Sequence, residues 1–253
     1  MLLKDKDFLL FNKFIDFFNL KIEENKIDLL SKILSIFSNI PYENLTKLRN
    51  AEERDFEKRL RTPYYLIKDF FEKGTGGTCF SLVYFLKNFL EYIGFKSEFL
   101  LCDRSYGENT HTLILTEIDN KRFLCDIGYL IYKPIPLEKE IFEFENNAYD
   151  FILENKGKEI YVYTKNKKGF KKFRYKIKME KVKEDEFISA WEKSFEFEMM
   201  NHIIITKDVG DGIIYIKDEH FHKIKKDGSF YKKLTKEEFY KFLESLNIKW
   251  QSL

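Results

Sequence analysis

At Gly94 the spacing of apolar residues changes, and that change restricts the chain to folds that segregate helices from strands. Before it the period is helical: Leu30, Ile33, Leu34 and Phe37 fall at i, i+3, i+4 and i+7, one buried stripe. The stretch TPYYLIKDFFEKG carries its own punctuation, with Thr62 placed to cap, Pro63 in the first turn and Gly74 at a left-handed stop. The opening MLLKDKDFLLFNKFIDFF interleaves Lys and Asp with apolar residues at helical spacing. It predicts an amphipathic helix rather than a signal peptide.

After Gly94 come short β-rich runs: SEFLLCD, HTLILTEI, KRFLCDI, DFILE, EIYVYT and FKKFRYKIKM. With the turn sequences DN, NKGK and NKKG between them, they predict an antiparallel sheet or barrel. IIITKDVGDGIIYIKD predicts more strand, and LTKEEFYKFLESLNIKW a terminal helix. Thr235 and Glu238 form its capping box, and Phe239, Phe242, Leu243 and Leu246 its apolar stripe. No repeat, low-complexity linker or sharp boundary divides the chain.

With 253 residues, 44% of them hydrophobic and 34% charged, the chain can close a core and still solvate its surface, which argues against disorder. The balance of 44 Lys and Arg against 42 Asp and Glu leaves +2, no field for capturing nucleic acid or an anionic membrane. No uncharged run approaches the ~18 residues of a membrane-spanning helix. A small-molecule or protein partner is expected. Three cysteines, Cys79, Cys102 and Cys125, make an odd count without a close pair. That argues against a disulfide framework or a CxxC metal site and predicts a reducing cytoplasm.

Cys79 follows Gly76, Gly77 and Thr78 and precedes a helix-patterned run. If the helix starts there, Leu82, Val83, Leu86, Leu90 and Ile93 share its face, and Lys87, Asn88 and Glu91 lie opposite. A helix N-terminus offers free N–H groups and partial positive charge, which favour thiolate; the two glycines would allow a sharp turn and close approach of substrate to the backbone. An inward cysteine is as readily a packing residue, so a base and an acid decide the matter. His111 opens HTLILTEI, which turns at Asp119 and Asn120 into KRFLCDIG. A two-residue turn pairs Ile118 with Lys121, places His111 opposite Gly128, and sets His111 and Asp126 as diagonal neighbours on one face, roughly ~7 Å apart at the backbone. A three-residue turn would reverse the parity. With the first register, Cys79 has a nucleophile's partners: His111 to take the proton and Asp126 to orient it. Cys102 and Cys125 are expected to pack. His220 and His222 in HFH share a strand face with no third ligand at metal-site spacing, which predicts surface histidines and no metal. The lysines and arginine of KNKKGFKKFRYKIK alternate in part with aromatics, as a solvated strand face does.

Cys79, His111 and Asp126 in that order resemble the arylamine N-acetyltransferase family. IPYENL at Ile40 to Leu45 is similar to that family's Pro-Phe-Glu-Asn-Leu element, GGTCF to its Arg-Gly-Gly-x-Cys segment, the Thr110–His111 pair and CDIGY to its His and Asp-Val-Gly-Phe elements, and LTKEEFYKFLESLNI to its closing helix. The resemblance implies an α+β fold with a cysteine-protease-like core: a helical bundle over residues 1–94, an antiparallel β-barrel over 95–190 and an α/β lid over 191–253. It implies transfer of acetyl from acetyl-CoA, a co-substrate, to a small aromatic amine, hydrazine or arylhydroxylamine through an acetyl-cysteine, with Cys79 as nucleophile, His111 as base, Asp126 as orienting acid and no metal. Backbone N–H groups near Cys79 would form the oxyanion hole.

Four positions depart from the family pattern: Thr75 stands where it has arginine, Ser81 where it has glutamate, Val83 where it has asparagine and Leu130 where it has glycine. Glu43 must therefore find another cation or solvent. Three other readings stay open: an amide synthase using a longer acyl thioester, a thiol hydrolase, and a non-catalytic homologue serving as a binding module.

Overall fold

The computed structural model describes residues 3–23, 25–165 and 169–249. Its N-terminal part runs α1 (Asp5–Phe17), α2 (Lys26–Ile36), the short strand β1 (Tyr42–Glu43), α3 (Leu45–Arg49), α4 (Phe56–Leu60), α5 (Pro63–Lys73) and α6 (Cys79–Tyr92). The stripe Leu30, Ile33, Leu34 and Phe37 is fully buried, as its spacing predicts. Phe11 and Phe14 of α1 meet Phe85 and Phe89 of α6 edge-on at 5.1–5.7 Å between ring centroids. Because helices and sheet surround α6, its polar face is narrower than the sequence suggests: Asn88 is buried, its amide donating to the Tyr84 carbonyl at 2.8 Å.

On α5, Pro63 takes the first turn and Gly74 ends the helix at φ +70°. The expected cap does not form, and the buried Thr62 hydroxyl has no partner among the described residues. Asp7 of α1 substitutes for it, accepting from Tyr64 N at 2.8 Å and, with its other oxygen, from Lys4 N at 2.8 Å.

Eight strands follow Gly94: β2 (Lys96–Arg104), β3 (Gly107–Ile118), β4 (Lys121–Cys125), β5 (Ile135–Pro136), β6 (Ile141–Glu145), β7 (Asp150–Asn155), β8 (Glu159–Lys165) and β9 (Lys171–Lys178). They form one antiparallel sheet in the order β5-β4-β3-β2-β9-β8-β7-β6. A single apolar cluster collects Ile135 of β5, Phe144 of β6 and residues from every strand between, so the sheet is curled around its own core. Since β5 and β6 end the sheet unpaired with each other, the expected barrel is an open half-barrel. In the NKKG link, residues 166–168 lie outside the described residues.

Next come α7 (Glu184–Lys193), β10 (Ile204–Asp208), β11 (Ile213–Lys217), β12 (His220–Lys225), β13 (Gly228–Lys233) and α8 (Lys236–Ser245). Strands β10 to β13 form an antiparallel sheet whose edge is completed by β1, with Tyr42 opposite Thr206 and Glu43 opposite Ile205. Asn44 fastens this junction by accepting from Ile204 N at 2.7 Å and donating to the His202 carbonyl at 2.8 Å. The capping box of α8 forms as read, and Leu243 and Leu246 pack on Ile205, Ile214 and Ile216.

Candidate active site

Cys79 is the first residue of α6, directly after the cap residue Thr78, and is 4% exposed. The two glycines before it are required by close packing. A Cβ on Gly76 would lie 1.7 Å from the Pro41 carbonyl oxygen, and one on Gly77 would lie 2.2 Å from Ser81 Oγ. The bareness of Gly76 lets the segment at residues 41–43 lie against the turn, where Glu43 N donates to the Gly77 carbonyl at 3.0 Å, and that of Gly77 leaves room for Ser81. Tyr42 is thereby brought to the cysteine.

The β3–β4 hairpin has the two-residue turn, with positive φ at Asp119 and Asn120 and Ile118 opposite Lys121. Pairing stops three residues short of expectation, at Ile114 opposite Cys125, so Gly128 is not His111's ladder partner. Asp126 instead leaves the strand and opens a 3₁₀ turn at Ile127–Tyr129. The turn carries Gly128 into the gap between the other two residues: a Cβ there would sit 2.7 Å from Cys79 Cβ and 3.1 Å from His111 Cε1. Asp126 points back at His111, whose Nε2 lies 2.9 Å from Oδ2 and 3.1 Å from Oδ1. The carboxylate also accepts from Tyr175 Oη at 2.5 Å and Tyr129 N at 3.0 Å. With Nε2 committed to Asp126, Nδ1 is left to face the thiol.

Burial alone would raise the Cys79 thiol, but its hydrogen bond to His111 and the charges of His111, Arg104 and Lys47 outweigh that, leaving it below the ordinary range. Burial would lower His111; Asp126, through charge and hydrogen bond, and the bond to Cys79 raise it above its usual value. Thiolate and imidazolium therefore favour each other. The other two thiols behave oppositely: burial lifts Cys102 well above the thiol range and Cys125 to about 12. Each sits in an apolar core.

Several neighbours of this site were not read from the sequence. Arg104 at the end of β2 places Nη2 3.4 Å from His111 Nδ1. Tyr42 lines the small cavity beside Cys79, and Tyr175 is the third side chain of the carboxylate network. Lys47 of α3 is buried with no carboxylate partner among the described residues, donating to the Ser194 carbonyl at 2.9 Å; burial lowers its ammonium to about 8. These contacts join residues distant in sequence, so local pattern holds no trace of them. Glu43 finds its cation in Arg61, at 3.2 Å with both side chains buried, and Asp69 lies 3.4 Å from the same guanidinium. Thr75, in the family's arginine position, is fully buried with its hydroxyl unpartnered among the described residues. His220 and His222 are exposed on β12, and among the described residues no three metal-ligating side chains cluster.

A small cavity lined by Cys79, Tyr42, Lys47 and Arg104 adjoins one of about 440 Å³ that shares Tyr42 and Arg104. A buried thiol, an imidazole and a carboxylate in this order beside a pocket have the groups that acyl transfer through a thioester requires.

A family model described as N-acetyltransferase matches residues 26–251. Among solved structures, the chain is similar to arylamine N-acetyltransferase C from Bacillus anthracis, at 17% identity and a TM-score of 0.76 over 94% of this chain and 98% of that one. It is similar to the arylamine N-acetyltransferase from Mycobacterium abscessus at 15% identity and a TM-score of 0.81, over 97% and 92%. A third, from Bacillus cereus, is 17% identical with a TM-score of 0.73 over 96% and 98%; its catalytic triad is Cys-His-Glu, whereas the acid facing His111 here is an aspartate. Comparison with curated protein sequences finds no match.

Proposed function

We propose, from the premise that this chain belongs to the arylamine N-acetyltransferase family, that it transfers acetyl from acetyl-CoA to small aromatic amines, hydrazines or arylhydroxylamines by a ping-pong route through acetyl-Cys79. The observation that carries this reading is the buried chain of contacts from the Cys79 thiol through His111 to Asp126. The thiolate attacks the thioester carbonyl, the C–S bond to CoA breaks, and His111 gives its proton to the departing sulfur. The amine then attacks the acetyl carbon, His111 takes the nitrogen's proton, and the bond to Cys79 breaks to restore thiolate. Asp126 holds the imidazole in the tautomer that presents Nδ1 to the sulfur and stabilises the imidazolium.

On this reading residues 1–94 supply the nucleophile and 95–190 the base and acid, in the manner of a cysteine protease. Residues 191–253 act as a lid, which the presence of Met199, Ile204 and Tyr215 in the cavity walls supports. Three unpaired thiols suit a cytoplasmic setting. The test is intact-protein mass spectrometry after brief mixing with acetyl-CoA and no amine. One acetyl group should appear, map to Cys79, discharge on addition of a hydrazine, and be absent in Cys79→Ala. A wild-type protein that stays unmodified across a range of acetyl-CoA concentrations overturns the reading in favour of another donor or a binding module.

A further inference from the structure

Lys47 is the one buried lysine among the described residues, and the transfer steps above make no use of it. An ammonium has three donors, and this one spends two of them on a single residue: it donates to the Ser194 carbonyl at 2.9 Å and to Ser194 Oγ at 2.5 Å. That hydroxyl gives its own proton to the Trp191 carbonyl, so its position is fixed. The Phe195 ring lies 4.3 Å from the nitrogen, and no third acceptor stands by among the described residues. Together with Cys79 the side chain lines a cavity of about 50 Å³. Such a space holds a few waters, or one acetyl group on the sulfur.

The charge of Cys79 is what works against burial at Lys47, and acylation removes it. Once the sulfur carries acetyl, burial acts on the ammonium unopposed and favours the free amine. Deprotonated, the nitrogen keeps two N–H groups for Ser194 and has a lone pair in place of its third proton. An acyl carbon and an amine then share one small cavity, the arrangement in which neighbouring groups react fastest. We propose that Lys47 is a modification site: with no acceptor present, acetyl passes within the chain from the Cys79 sulfur to Lys47 Nζ. This rests on the acetyltransferase reading for how Cys79 becomes loaded. The nitrogen attacks the acetyl carbon, the C–S bond breaks with its electrons left on sulfur, and the nitrogen's proton passes to His111 or to the thiolate. Free Cys79 and Nζ-acetyl-lysine result, with no further reactant. The amide keeps one N–H for Ser194 but has no charge, so Cys79 loses one of the cations that favour its thiolate and is acylated more slowly. A chain left with donor and no amine thereby shuts itself down.

The experiment has two arms. In the first, wild-type protein is held for hours with acetyl-CoA and no amine, stripped of thioesters with hydroxylamine, digested and mapped by mass spectrometry. A hydroxylamine-stable acetyl group should appear on Lys47, at a rate about 10²-fold or more above that in Cys79→Ala, as expected of a neighbouring-group reaction. Acylation of Cys79 should slow in step with it, and a hydrazine present from the start, which discharges Cys79, should suppress both changes. Lys47 left unmodified in a chain whose Cys79 is acetylated overturns the proposal. Modification of Lys47 as fast in Cys79→Ala, or undiminished by the hydrazine, overturns it too, since the donor then reacts with the lysine directly. In the second arm 4-nitrophenyl acetate, which needs no CoA site, loads the thiol. Relay to Lys47 from this ester but no acetylation by acetyl-CoA would fail the acetyltransferase reading alone. A Cys79 that neither donor loads would fail both.

Discussion

Asp126 accepts three hydrogen bonds in a fully buried setting, one from His111 and two that hold the carboxylate in place. Asp126→Asn retains the size but presents an amide to His111 Nε2, so folding should survive while acylation of Cys79 falls by roughly ~10⁴-fold. Stopped-flow acylation with far-ultraviolet circular dichroism checks both, and a rate within a few-fold of wild type would remove Asp126 from the site. The Glu43–Arg61 pair alters what Thr75 tells us. With Glu43 already satisfied, Thr75→Arg adds a second buried cation without a free counter-charge, and should lower stability by about 3 kcal/mol in urea unfolding. Unchanged stability would show that the pocket shares its carboxylates. The gathering of Cys79, His111 and Asp126 in one place was legible because a glycine turn, a helix start and a two-residue hairpin are local signals. Arg61 was not: it reaches Glu43 from a left-handed helix end, φ +63°, which local sequence does not announce.

Elements were readable where one face is buried and the other wet. The alternation in β8 and the spacing in α2 both correspond to observed burial. Strand β13 is exposed along its whole length, so its sequence holds no alternation to read. The exit of the chain at Asp126 was equally hidden, because it follows from Gly128 fitting between Cys79 and His111 rather than from any turn sequence. Caps supplied from afar are the third blind spot. Asp7 satisfies the first turn of α5 and that of its own helix, so Asp7→Ala should cost about 2–3 kcal/mol, two charged hydrogen bonds at once, with activity retained in the remaining folded fraction. A loss under about 0.5 kcal/mol would mean that water replaces the carboxylate.

At the scale of the whole molecule, protons held inside link stability to pH. Lys47 titrates at about 8 when folded against 10.5 as its ordinary value, so between these the unfolded chain holds the extra proton and stability must rise with pH. His111 acts with the opposite sign: its raised value stabilises fully below its ordinary 6.5, and that contribution is lost as pH climbs through the folded value. Relative to Lys47→Met, wild type should gain up to about 1.4 kcal/mol per pH unit above pH ~8, read from urea midpoints. Parallel curves would mean that Lys47 is hydrated. The junction of β1 with β10 has a bearing on how the molecule is made. The half-barrel and helices around Cys79 precede β10 in synthesis, yet Tyr42, which shares a cavity wall with Cys79, is held as an edge strand by residues translated long afterwards. The last wall of the pocket is thus the last to leave the ribosome, and maturation of the thiol's surroundings waits for the arrival of the C-terminal sheet.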